Sequence, residues 1–255
     1  VTATLVEVAP GVLVATSTVM STTSTVVAAA GRALLVDPAW LPHELAAIAD
    51  DLDARGLRAV GGFATHAHHD HLLWHPRFGD ALRWASPATA RLAREHRVEL
   101  VDRLGPLPEE LSALVARVEP VVDAIPRTSL PRGIEVELVV HDGHAPGHTA
   151  LWVPGPDVLV AGDMLRDVEI PLPFDPDDVP AYLEGLDRLA PFVARAHVVV
   201  PGHGTPGDPR PRLEADRRYL DAVLRGREPD DERLRDPAMR VEHERLRRVV
   251  ADQPT

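Results

Sequence analysis

The run Thr65-His66-Ala67-His68-His69-Asp70-His71 constrains this chain more than any other stretch of it. Four imidazoles and one carboxylate within residues 66–71 cannot pack as an ordinary core strand or helix. Buried polar groups need partners, and a run this dense needs them together. The stretch 58–64 ahead of the run is largely apolar and predicts a strand that delivers the chain into it. His66 and His68, two apart on extended backbone, project to the same side, so their rings can meet one cation. A sharp turn after His68 would carry Asp70 and His71 to the other side, where they can hold a second cation. Two ions roughly 3.5–4 Å apart are the arrangement that activates a bridging water for hydrolysis.

The chain contains no cysteine, so any metal site must be built from nitrogen and oxygen, and no cysteine nucleophile or disulfide is available. With 255 residues, 45% of them hydrophobic, it can bury a substantial core without cross-links. The formal net charge is −12, and every basic residue is an arginine. So acidic a chain repels phosphate backbones, and no nucleic-acid partner is expected. The N-terminus has no basic stretch followed by an apolar one, and nothing approaches the ~18 apolar residues of a membrane span. A soluble, cytoplasmic protein acting on a small molecule is the expectation.

Strand-like runs between residues 4 and 36, punctuated by Pro10-Gly11 and Gly31, predict an antiparallel meander. Pro42 and the spacing of Leu45, Ile48, Ala49 and Leu52 predict a helix that stops near Gly56. Helical patterns recur from Ser86 to about Val118, broken at Gly105-Pro106-Leu107-Pro108, so that 72–133 reads as a helical insertion or cap. A second β-rich section spans 134–161, and a helix over about 179–195 leads to a strand at 197–200. Residues 210–250 predict two charged amphipathic helices around Arg225-Gly226-Arg227-Glu228-Pro229. Strands then helix, twice over, suggests an α+β or α/β chain folded as a four-layer αβ/βα sandwich. The catalytic domain would occupy 1–209, with a short helical tail, 210–255, packed on it.

Three further residues each follow a predicted strand inside a glycine-containing loop: His148 in Gly147-His148-Thr149, Asp163 in Gly162-Asp163, and His203 in Gly202-His203-Gly204. Such loops let a rigid scaffold present ligands at close range. With these residues in order behind the His-x-His-x-Asp-His run, the sequence resembles the metallo-β-lactamase-fold superfamily from about residue 5 to 205. Asp37 in Leu34-Leu35-Val36-Asp37 is similar to the family's first motif. The resemblance implies that His66, His68 and His148 hold one metal ion, that Asp70, His71 and His203 hold a second, and that Asp163 bridges them. Asp37 would stand behind the ligands and orient one of them, since a ligating imidazole needs its other nitrogen hydrogen-bonded.

The implied activity is hydrolysis of an ester, thioester or lactone by a metal-bridging hydroxide, with Asp70 orienting it and taking up its proton. Two divalent ions are expected, zinc by default, with iron or manganese compatible with the same donors. An aspartate at position 163 is more similar to the glyoxalase II and lactonase branches than to the true β-lactamases, where cysteine is frequent. The alternatives are a mononuclear iron persulfide dioxygenase and a β-lactam hydrolase. Ile170-Pro171-Leu172-Pro173-Phe174 reads either as a substrate wall or as a stiff packing loop. His69 is expected to point outward or stand behind the ligands. His75, His141 and His144 flank the site, and His43, His96, His197 and His243 have no motif support.

Overall fold

The computed structural model of the chain describes residues 4–174 and 177–252. The N-terminal meander forms as β1 (Val6–Ala9), β2 (Val12–Thr16), β3 (Thr23–Ala29) and β4 (Arg32–Val36), paired antiparallel in sequence order. Helix α1 (Pro42–Ala54) then crosses over, and β5 (Arg58–Phe63) pairs parallel to β4. The sheet continues through β6 (Arg83–Ala85) and β7 (Glu119–Pro120), both parallel, to seven strands.

Residues 72–133 thus carry the helices α2 (Pro87–Glu95), α3 (Arg97–Arg103) and α4 (Glu109–Ser112) and also the last two strands of the sheet, of which β7 forms the edge. At three and two residues these strands are too short to show an alternating pattern.

A second sheet is built from β8 (Glu137–Val140), β9 (Thr149–Val153), β10 (Val158–Gly162) and β11 (Val198–Pro201) in the order β11-β10-β9-β8. Helix α5 (Val179–Val193) makes the crossover that sets β11 parallel to β10. Helices α6 (Pro209–Leu224) and α7 (Pro237–Asp252) follow.

Alternation along the strands sorts the layers. On β4, Leu34 joins Val12, Val27, Leu151, Val160 and Val200 in a cluster between the two sheets, whereas Leu35 faces Leu45, Ile48 and Leu52 of α1. On the second sheet, Trp152, Leu159 and Val199 pack outward against Leu186 and Leu189 of α5, Leu220 of α6 and Leu246 of α7. The order of layers is therefore α1, sheet, sheet, and the α5–α7 group, the expected αββα sandwich.

Glu44, fully buried at the start of α1, accepts hydrogen bonds from the Ser17 hydroxyl at 2.6 Å and from the Thr18 amide at 2.8 Å. It thereby pins the β2–β3 loop, whose Met20 reaches the site described next.

Candidate metal centre

The candidate ligands all stand where strands end. β5 runs out at His66 and His68, and a 3₁₀ turn, His69–His71, closes with the His71 amide donating to the His68 carbonyl at 3.2 Å. That turn carries Asp70 and His71 past His68. Asp37, at the end of β4, accepts from the Thr65 amide at 2.8 Å and the Thr65 hydroxyl at 2.6 Å, and its Oδ2 lies 3.0 Å from His71 Nδ1. Asp163 follows β10 and His203 follows β11. A Cβ at position 202 would fall 2.0 Å from Asp163 Oδ1, and one at 162 would fall 2.5 Å from His148 Nε2. Glycine at both places is what lets these loops close over the site.

Two clusters of donor atoms result, each with its atoms within 4.8 Å of one another: His66, His68, His144 and Asp163, and Asp70, His71 and His203. In the first, His68 Nδ1 lies 3.0 Å from His66 Nε2 and 3.2 Å from His144 Nε2. In the second, His71 Nε2 and His203 Nε2 are 3.4 Å apart, at 3.3 Å and 3.2 Å from Asp70 Oδ2. Asp163 touches both, with Oδ2 3.4 Å from His144 Nε2 and 3.3 Å from His203 Nε2, and Oδ1 3.2 Å from His71 Nε2.

This donor set fits divalent cations. Rings in both clusters commit one nitrogen to a partner behind them: His66 Nδ1 to the Thr65 hydroxyl at 3.0 Å, His71 Nδ1 to Asp37, His144 Nδ1 to the Leu172 carbonyl at 2.6 Å, and His203 Nδ1 to the Met20 carbonyl at 3.0 Å. A carbonyl only accepts, so His144 and His203 must carry their proton on Nδ1. The Thr65 hydroxyl donates to Asp37 and so accepts from His66 Nδ1, which leaves the Nε2 atoms of His66 and His144 unprotonated and converging beside Asp163 and His68, lone pairs that a cation would satisfy.

Charge separates the clusters. Burial holds His66 and His144 well below the ordinary histidine range, with the neighbouring histidines adding to it. Burial acts on His71 and His203 too, but Asp163 and Asp70 outweigh it, holding His71 well above its usual value and raising His203 to about 10. Burial likewise pushes Asp70 and Asp163 up, and the histidines around them win, holding both carboxyls well below the carboxylate range.

Six of the seven residues expected as ligands lie in these clusters, and His148 does not. Its Nε2 accepts the Asp163 amide at 3.0 Å, and its ring stacks between His66 and His141 at centroid distances of 5.1 and 4.7 Å. It stands behind the site, with the cluster position taken by His144.

The cause is local. His148 immediately precedes β9, and its carbonyl accepts the His141 amide at 2.8 Å, extending the β8–β9 ladder. His144 lies within the connection between those strands, where its side chain can reach forward. The Gly-His pair occurs twice in the segment between β8 and β9, at Gly143-His144 and Gly147-His148, and proximity to the strand is the signal that separates these copies.

The remaining histidines stay outside the clusters. His69 meets Trp40 edge-on at 5.2 Å, with Nδ1 3.5 Å from Asp70 Oδ1. His75 caps a short turn by accepting the Arg77 amide, and His243 bonds the Tyr219 hydroxyl at 2.8 Å.

A cleft of about 570 Å³ opens onto both clusters. Arg166, buried at its base, pairs with Glu169 and lies 3.4 Å from Asp163 Oδ2. Arg233 in turn donates to the carbonyls of Arg166 and Glu169 at 3.1 and 3.0 Å, tying the tail to this loop. Sequence reasoning missed Arg166, Glu169 and Arg233, which belong to no spaced motif.

A buried His/Asp donor set at the strand ends of an αββα sandwich defines a class of metal-binding proteins. The sequence matches the metallo-beta-lactamase superfamily over residues 17–203, and the chain belongs to that family. Among solved structures it is similar to a beta-lactamase domain protein from Burkholderia ambifaria, with 22% identity and a TM-score of 0.64 over 87% of this chain and 76% of that one. It is also similar to the DIM-1 metallo-beta-lactamase in a crystal exposed to ceftazidime, with 18% identity and a TM-score of 0.65 over 88% and 98% of the two chains. A metallo-beta-lactamase family protein from Thermus thermophilus gives 24% identity and a TM-score of 0.63 over 86% and 82%. At these identities the likeness is one of fold. A comparison with curated proteins finds no significant match. No helix among the described residues is long and apolar enough to cross a membrane.

Proposed function

We propose that the chain is a binuclear metal-dependent hydrolase that cleaves an ester, thioester or lactone of a small molecule. The observation that carries this reading is Asp163, whose two oxygens reach the nitrogens of both clusters. His66, His68 and His144 would hold one ion, and Asp70, His71 and His203 the other, with Asp163 shared. Zinc is the first candidate for both.

Divalent ions there would supply a hydrolytic nucleophile at neutral pH and an electrophile for the substrate carbonyl. The chain's own part is to hold the donors and handle the proton. Asp70, kept ionised by the histidines around it, is placed to orient the attacking water and accept its proton. His144 and His203, each anchored through Nδ1 to a backbone carbonyl, keep their Nε2 atoms aimed forward without reorganising. A second ion, beyond the single iron of a persulfide dioxygenase, is supported by Asp70, His71 and His203, which are buried and converge beside the shared Asp163.

Metal analysis and a substrate panel on one preparation test this. The expected result is two divalent ions per chain and turnover of ester, thioester or lactone substrates that chelation abolishes and zinc restores. One iron per chain, with oxygen consumed in the presence of a thiol persulfide, overturns it.

A further inference from the structure

We infer that the cleft over the metal centre selects a substrate bearing an uncharged aliphatic chain, and that residue Val241 of α7, with Met20, Leu172 and Phe174, forms the surface against which the chain lies. This rests on the hydrolase reading and names the substrate class for it.

The cleft divides by chemistry and depth. Its base is polar and buried, formed by metal-ligand candidates with Arg166 and Glu169. Its remaining lining is mostly apolar: Met20, Leu172, Phe174, Met239 and Val241. Met20 is 56% exposed and Val241 65%, and these come from elements far apart in sequence that line the same cleft. Single exposed apolar side chains are ordinary, but two gathered at the mouth of one cleft mark a surface that a ligand can cover. On α7 the buried stripe is Met239, His243 and Leu246, so Val241 lies off the core-facing side and contributes nothing to packing there.

The charged residues of the lining are already matched. Arg166 pairs with Glu169, Arg103 with Glu99 at 2.7 Å, and Glu242 with Arg245 at 2.6 Å. Only Arg166–Glu169 of these pairs is buried, so at the base a charged arm would compete with an existing ion pair, whereas an aliphatic chain along the apolar wall gains burial without that competition.

The wall is also fixed relative to the metal ligands. Phe174 lies 5.5 Å from the His144 ring and 6.1 Å from that of His68, and Arg245 sits over its face at 4.8 Å. The Phe174 amide donates to the His144 carbonyl at 2.8 Å, and Leu172 accepts from His144 Nδ1. The segment that orients a candidate metal ligand therefore also carries the apolar wall. Val241 and Met239 lie beyond the family match at 17–203, and this part of the cleft is contributed by the tail.

The test is titration calorimetry of the zinc-loaded full chain with sodium acetate, butanoate, hexanoate and octanoate, the acid products of acyl cleavage. Octanoate should bind at least about tenfold more tightly than butanoate, since each buried methylene strengthens binding by up to roughly fourfold. In Val241→Asp and in Met20→Asp, both exposed positions where folding is not at risk, that gain should fall below about threefold. A flat series in the parent chain, or no binding by octanoate, overturns the inference, as does an undiminished gain in both variants. Since no turnover is measured, loss of the hydrolase reading would show separately as failure of the substrate panel.

Discussion

The two sheets contribute four and three residues to the candidate metal centre, and they do so differently. From the first sheet, His66, His68, Asp70 and His71 come off one strand end and one 3₁₀ turn within six residues. From the second, His144, Asp163 and His203 come from three separate loops. The support behind them differs as well. Behind His71 stands the carboxylate of Asp37, whereas the Asp163 amide donates to the imidazole of His148, which stacks on His141. A local motif can be placed by short-range geometry, but a ligand set spread over loops depends on which residue each strand leaves free.

Acid should separate the two kinds of support most strongly. Burial lowers His141 to about 4, below the value near 6.5 expected of it unfolded. A depressed histidine contributes stability that is present above pH 6.5 and is lost as pH falls toward 4, because the unfolded chain takes up the proton first. The difference amounts to about 3 kcal/mol. On chelated protein, the stability gap between the parent and His141→Gln in urea melts should shrink by about that much from pH 7.5 to pH 4. A gap that stays constant would show that His141 carries no such linkage.

On the first-sheet side, Asp37→Ala removes the group that orients His71 and holds Thr65. Metal affinity or activity should fall about 10–100-fold, the usual cost of losing a partner behind a metal ligand. Competition with a chelator measures it, and affinity within about twofold of the parent would remove Asp37 from the account.

The same contrast explains what the sequence could show. The meander, α1 and β5 were legible because turns at Pro10-Gly11 and Gly31 and the spacing of Leu45, Ile48, Ala49 and Leu52 agree with the structure formed. Strands β6 and β7 were not, since strands of three and two residues owe their pairing to neighbours rather than to any pattern of their own. The dense run 66–71 pointed directly to a candidate cation site, and all of its expected ligands fall in the two donor clusters. His144 and His148 sit in identical Gly-His pairs, and only the register of β9 decides which of them turns its ring forward. The contribution of α7 to the cleft was equally hidden, because Val241 differs from any exposed valine only in what lies across from it.

Metal content of two single variants tests this assignment most directly. With zinc-loaded parent protein at two ions per chain, His144→Ala should retain about one, because it removes a donor from the first cluster and leaves Asp70, His71 and His203 intact. His148→Ala should retain two, its loss affecting the support of Asp163 rather than a ligand. The opposite pattern, with His148→Ala losing an ion and His144→Ala keeping both, would contradict the account.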